Sequence, residues 1–183
     1  KPDPFAFGDE ALPGTAGRLL CPAYHFTDGE WISRRHWLPQ MPMNIYELHA
    51  SSWRRHWDGR YYSGGELAEV LIPYLRERNF TCVELMPLAE YPFDGSWGYQ
   101  GRGYFAPTAR LGGFAGVAEL IDRLHGAGIA VLADFVPVHF APDPERMARW
   151  DGAPLFEAGP SDWGSLRFDL SSGPVRSFLL SAA

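Results

Sequence analysis

The chain has 183 residues, and its 46% hydrophobic and 21% charged residues are typical of one globular domain with a real core. Its net charge of −6 argues against a nucleic-acid partner, because binding to phosphates needs a basic surface. No apolar run could span a bilayer, and the two cysteines, Cys21 and Cys82, form no metal-ligand cluster. We therefore expect a cytoplasmic protein that needs no membrane, no metal and no cofactor.

Residues 1–42 are rich in proline and glycine, with only short apolar pieces between them. Such a composition predicts a connector that contains one or two short strands. The first residue is Lys1 rather than methionine, so we expect this connector to follow a domain that precedes it in a longer chain.

From residue 43 onward, short apolar runs alternate with helical patterns. The predicted elements are a strand at 44–49, a helix opening at Gly64-Gly65, a strand at 80–86, a helix at 114–125 and a strand at 129–136. A long glycine-rich loop at 88–112 follows the second strand. The order β-α-β-α-β predicts a parallel sheet with right-handed crossovers, and both open doubly wound sheets and closed (β/α)8 barrels are built in this way. An irregular stretch at 140–172 then leads to a helix that begins at Gly173.

Asp134 and His139 stand at the end of the third predicted strand. The carboxyl ends of parallel strands are where α/β folds place their chemistry, so the carboxylate could order a site and the imidazole could bind a sugar hydroxyl. The alternative is a capping aspartate and a surface histidine, and for the pair taken alone that alternative is favoured.

The loop after the second strand carries aromatic, acidic and amide side chains between glycines, at residues 91–100. Flat aromatic faces together with hydrogen-bonding groups suit a glucan. An ordinary packed aromatic loop remains the alternative, since the aromatic content of 15% is equally compatible with core packing.

Taken together, several segments resemble glycoside hydrolase family 13, the α-amylase superfamily, and within it most closely the glucan branching enzymes. The segments that carry the resemblance are residues 3–6, 13–16, 44–55, 83–87, 92–100, 104–108, 134–140 and 162–164. The resemblance implies an α/β fold with the first three βα units of a partial (β/α)8 TIM barrel at residues 43–183, interrupted by the irregular insertion at about 140–172. The connector at 1–42 would then follow an absent N-terminal β-sandwich module.

The resemblance also implies roles for individual residues. His139 would hydrogen-bond the sugar in subsite −1, Asp134 would order the base of the site, and Tyr99 would stack on the same sugar. Gln100 would contact glucan beside Tyr99. Two further positions, Asp94 and Trp97, would serve outer subsites.

The bond-breaking residues of this family follow the fourth and fifth barrel strands, and no position here matches the nucleophile or the acid/base. The resemblance therefore implies that the chain belongs to an enzyme that cleaves α-1,4 linkages and transfers the glucan segment to a 6-hydroxyl, and that the chain alone is inactive. Its partners would be an α-glucan and, through unpaired barrel edges, a second copy of itself. The alternatives are another superfamily hydrolase, such as a malto-oligosyltrehalose trehalohydrolase, and a non-catalytic, truncated glucan-binding remnant.

Overall fold

The computed structural model describes residues 3–144 and 146–183, with the side chains of residues 37–39 excepted. Residues 1 and 2 of the expected connector and residue 145 of the expected insertion thus lie outside the described residues. The chain divides into two compact units. The sheet unit comprises Pro22–Met86 and Arg110–Asp134, and the loop unit comprises Lys1–Cys21, Pro87–Ala109 and Phe135–Ala183.

The described helices, in chain order, are α1 (Gly29–Arg34), α2 (Ala50–Trp53), α3 (Gly64–Glu77), α4 (Gly113–Gly126) and α5 (Gly173–Ala182). The described strands are β1 (Ile45–Leu48), β2 (Cys82–Leu85), β3 (Ala89–Glu90), β4 (Gly103–Pro107), β5 (Ala130–Ala133), β6 (His139–Phe140), β7 (Glu157–Pro160) and β8 (Leu166–Phe168). Among these described helices, none is both long and apolar enough to cross a membrane.

The sheet unit is built on a parallel sheet in the order β1-β2-β5. Tyr46 pairs with Val83, and Val83 in turn pairs with Val131. Helices α3 and α4 supply the crossovers between these strands, so the predicted β-α-β-α-β order and its parallel pairing are confirmed.

Helix α3 begins where the sequence predicts because Ser63 caps it. The Ser63 hydroxyl accepts the Glu66 N–H at 3.3 Å, and the Glu66 carboxylate accepts the Ser63 N–H at 2.8 Å. This reciprocal capping box satisfies two amides that would otherwise lack partners. One face of the helix then buries Leu67, Leu71 and Leu75 completely.

The loop unit contains strands where the sequence predicted none. Within the predicted loop at 88–112, β3 pairs antiparallel with β4, and within the predicted irregular stretch at 140–172, β7 and β8 join β6 in the antiparallel order β6-β8-β7. Strands of two to five residues show too little alternation to be recognised in isolation. They form here over an aromatic cluster of Tyr104, Phe140, Phe156, Phe168 and Phe178, all buried.

Two further elements differ from the sequence-based expectation. In residues 3–42 the structure contains helix α1, a 3-10 helix at Arg35–Gln40 and an isolated bridge between Asp9 and Gly17, rather than one or two strands. The third parallel strand ends at Ala133, three residues before the predicted end. Pro137 follows closely and lacks a backbone N–H, so this segment is poorly suited to continue a ladder.

Candidate functional site

Asp134 directly follows β5 in the sheet unit. Its backbone N–H donates to the carbonyl oxygen of Leu85 at 3.0 Å, which continues the pairing of β5 with β2 by one residue. Its side chain is half-buried. The aspartate therefore lies at the carboxyl end of the parallel sheet, where the sequence placed it.

His139 belongs to β6 in the loop unit, where its backbone is held from two sides. It pairs with Arg167 of β8, and its carbonyl oxygen accepts the hydroxyl of Tyr104 at 2.8 Å. The next residue, Phe140, is fully buried, and its ring lies 4.6 Å from that of Phe168. A half-buried imidazole is thus attached to a fixed piece of backbone.

The imidazole of His139 also has side-chain partners. Its Nδ1 lies 2.8 Å from the hydroxyl oxygen of Ser165, and its ring centroid lies 5.5 Å from that of Trp163 at an interplanar angle of 38°. Burial lowers the pKa of His139 below its ordinary value, because a desolvated imidazolium is disfavoured. This shift favours the neutral ring, in which one nitrogen donates a hydrogen bond and the other accepts one.

Gln100, in the loop between β3 and β4, also contacts Trp163. Its side-chain amide donates to the carbonyl oxygen of Trp163 at 3.1 Å. At the next residue, the carbonyl oxygen of Gly101 accepts the backbone N–H of Ala141 at 2.9 Å. The loop that carries Gln100 therefore runs beside the end of β6, and Trp163 is shared between Gln100 and His139.

Tyr99 precedes Gln100 and is half-buried. Its position is set by a tight turn in which its N–H donates to the carbonyl oxygen of Ser96 at 2.9 Å. Gly98 adopts φ = 89°, and a Cβ there would lie 2.7 Å from the carbonyl oxygen of Pro87, so only glycine fits. The aromatic ring is thus carried by a turn of fixed geometry.

The other two predicted positions lie on the outer side of this turn. Asp94 opens a short 3-10 turn at Asp94–Ser96, and Trp97 follows it in the left-handed conformation with φ = 54°. Both side chains are exposed, Trp97 by 58%. The structure therefore gathers Gln100 and His139 around Trp163 and leaves Asp94 and Trp97 on the surface of the turn.

Trp163 contacts both Gln100 and His139, and the sequence reasoning did not select it. It lies in the β7–β8 hairpin and is 71% exposed, although its ring lies in a tilted arrangement beside that of His139. The motif Asp162-Trp163-Gly164 was the available signal, since it carries part of the resemblance. An exposed tryptophan beside polar side chains combines an aromatic surface with hydrogen-bonding groups, as ligand sites commonly do.

A cavity of about 550 Å³ in the sheet unit has a different character. Its lining includes His125, whose Nδ1 lies 2.7 Å from the carboxylate of Asp28 and whose ring stacks on Trp31 at 5.0 Å. These contacts fasten α1 to the end of α4, so we assign them a structural role. Within residues 3–144 and 146–183, no group of three or more His, Cys, Asp or Glu residues could hold a metal ion.

The sequence is similar to those of known proteins. No family model matches the chain. Over its whole length, however, it is 46% identical to a 1,4-alpha-glucan branching enzyme GlgB from Nitrosomonas europaea and 45% identical to one from Dechloromonas aromatica. The chain spans 26% and 31% of the length of these two relatives. The resemblance to the branching enzymes is therefore confirmed, for the part of them that these residues cover.

Solved structures give the same fold. A Salmonella typhimurium chain assigned to the α-amylases superposes on 99% of this chain and 29% of its own with a TM-score of 0.76 at 24% identity. An α-amylase from Geobacillus thermoleovorans superposes on 76% of this chain and 36% of its own with a TM-score of 0.59 at 16% identity. The mixed α/β fold is thus of the α-amylase type.

Proposed function

We propose that this chain, a relative of part of the 1,4-α-glucan branching enzymes, supplies glucan-binding side chains to the active site of such an enzyme. The enzyme would cleave an α-1,4 linkage and transfer the freed segment to a 6-hydroxyl of glucan. The observation that carries the proposal is that Gln100 and His139 both contact Trp163: its backbone carbonyl oxygen accepts the Gln100 amide, and its exposed ring lies beside the His139 imidazole. Polar groups beside an open aromatic face provide both the hydrogen bonds and the stacking that a pyranose ring requires.

Each side chain then has a chemical task. His139 donates a hydrogen bond to a hydroxyl of the sugar in subsite −1, and Tyr99 stacks on that sugar. Gln100 offers an amide for glucan, and the resemblance assigns to Asp134 the ordering of the base of the site. The exposed positions Asp94 and Trp97 would contact glucan in outer subsites.

The proposal extends to the fold. The parallel order β1-β2-β5, with α3 and α4 as crossovers, is what the first three strands of a (β/α)8 barrel would form. Residues 1–42 would connect this barrel part to a preceding module. We further propose that residues 1–183 alone break no glycosidic bond, because a retaining mechanism needs two carboxylates about 5 Å apart and the resemblance assigns neither to this segment.

Glucan binding tests the proposal directly. We expect the full chain to bind maltoheptaose, and we expect Tyr99→Ala and His139→Ala each to weaken binding about tenfold, which corresponds to one lost stacking or hydrogen-bonding contact. Isothermal titration calorimetry measures the affinity. Trp57→Ala is the matched control, because Trp57 is 97% exposed, lies in the sheet unit and should leave affinity unchanged. Equal affinities for all four proteins would refute the assigned roles.

The products formed from amylose separate the candidate functions. A branching enzyme that contains this chain creates α-1,6 linkages without releasing sugar, and proton NMR of the glucan measures them. Trehalose release from a trehalose-terminated maltooligosaccharide would instead identify the hydrolase, and glucan binding with no product at all would identify the non-catalytic remnant. The names of the relatives favour branching.

A further inference from the structure

The imidazole of His139 is connected to two serines of the β7–β8 hairpin. The hydroxyl oxygen of Ser161 accepts the backbone N–H groups of Trp163 and Ser165, each at 3.2 Å. It also lies 2.5 Å from the hydroxyl oxygen of Ser165. The latter oxygen lies 2.8 Å from Nδ1 of His139, so the three side chains form a continuous hydrogen-bonded row.

The direction of the protons along this row follows from counting lone pairs. A serine hydroxyl has two lone pairs and one hydrogen. Because both lone pairs of Ser161 are engaged by backbone N–H groups, its own hydrogen is what remains for Ser165. Ser165 accepts that hydrogen and has its own left to donate, and the neighbouring acceptor is Nδ1 of His139.

The reverse direction is disfavoured on the same count. If Nδ1 of His139 donated to Ser165, then Ser165 would donate to Ser161, whose oxygen would have to accept three hydrogens. Ser165 is only 1% exposed, so solvent does not offer it another partner. One of the three hydrogens would therefore lack an acceptor, and because the hydroxyl is buried, water cannot replace the lost hydrogen bond.

We propose that Ser161 and Ser165 are positioning residues that hold His139 in the tautomer with its proton on Nε2. In the described part of the chain, Nε2 of His139 has no hydrogen-bond partner, so it is the nitrogen that is left for a ligand. The neutral ring then presents a donor, and it does so without carrying a positive charge. The expected acceptor is a sugar hydroxyl. That assignment of the ligand rests on the proposed function, whereas the tautomer itself does not.

Nitrogen-15 NMR of the histidine rings in the full chain, without any glucan, tests the tautomer. The pH is set well above the ordinary histidine pKa of about 6.5, so that the ring is neutral. His139→Gln assigns the resonances. We expect Nδ1 of wild-type His139 to resonate as an unprotonated, hydrogen-bonded nitrogen and Nε2 as a protonated one. A proton on Nδ1 in the wild type would overturn the proposal, whether or not any variant folds.

Variants of Ser165 test the cause. In Ser165→Ala we expect the ratio of Nδ1–H to Nε2–H tautomer to rise about fivefold, because one typical net hydrogen bond is lost. Ser165→Thr keeps the hydroxyl and should restore the wild-type ratio, and Ser181→Ala, on α5, removes an exposed hydroxyl as a control. An unchanged ratio in a folded Ser165→Ala protein would overturn the proposal. Failure of glucan binding with the Nε2–H tautomer intact would refute only the proposed function.

Discussion

Helices α3 and α4 approach each other closely at Gly64 and Gly116, and this contact allows a sharp prediction. Gly64 is buried at the first position of α3, and a Cβ there would lie 1.7 Å from the carbonyl oxygen of Gly116 in α4. Non-bonded carbon atoms pack at about 3.5 Å, so Gly64→Ala requires the helices to separate by about 2 Å at this point. The obstacle is backbone, and no change of rotamer relieves it.

The expected cost follows from what the separation does to the core. Overpacking costs about 1–3 kcal/mol, and the upper end applies where backbone atoms collide. The higher helix propensity of alanine offsets at most about 1 kcal/mol of this destabilisation. We therefore expect Gly64→Ala to lower the free energy of unfolding by about 2 kcal/mol, a large share of the usual 5–15 kcal/mol or so.

Urea denaturation followed by tryptophan fluorescence, at one fixed protein concentration, measures this change. Gly29→Ala is the matched control, because Gly29 also occupies the first position of a helix but a Cβ there would meet nothing within 4 Å. We expect this control to change stability by less than about 0.5 kcal/mol, as exposed substitutions usually do. If Gly64→Ala is as stable as Gly29→Ala, the close helix contact does not exist in solution.

Two further predictions concern pH and association. Burial alone would raise the pKa of Asp122, but hydrogen bonds from Thr27 and Tyr24 outweigh it and hold the pKa below its ordinary value. Stability from this carboxylate is therefore present above about pH 4 and lost as the pH falls through the lowered pKa, so acid titration of Asp122→Asn should show a shallower loss of stability. The outer strands β1 and β5 lack a strand partner on one side among the described residues, and they expose Ile45 and Leu132 by about two-fifths. We expect concentration-dependent self-association in analytical ultracentrifugation that Leu132→Lys weakens, and a strictly monomeric wild type would contradict this.

The sequence predicted those parts of the fold whose patterns are local. Helix α3 has a capping box and a repeating apolar face, and β2 is an apolar run stopped by Pro87, so both could be recognised without any partner. Strand β6 has only two residues, and it exists because it pairs with residues of β8 that lie 26 or more positions further along the chain. Pairing of this kind leaves no periodicity in the sequence.

The same distinction applies to the candidate site. His139 and Tyr99 could be selected from short motifs, because the residues that identify them are their neighbours in the chain. The roles of Trp163 and Ser165 depend on the hairpin between β7 and β8, which returns them to β6. Residues that act by supporting another side chain can be identified only once the pairing of the hairpin with β6 is known.

The contacts that order the side chain of His139 bear on its proposed role in glucan binding. Its carbonyl is fixed by Tyr104, its Nδ1 by Ser165 and one ring face by Trp163, yet the side chain remains partly accessible. Ordering a side chain costs conformational entropy, and a half-exposed imidazole recovers little of that cost through apolar burial. Because apolar packing recovers little of this cost, the ordered ring supports the proposal that His139 is a binding group prepared for its ligand.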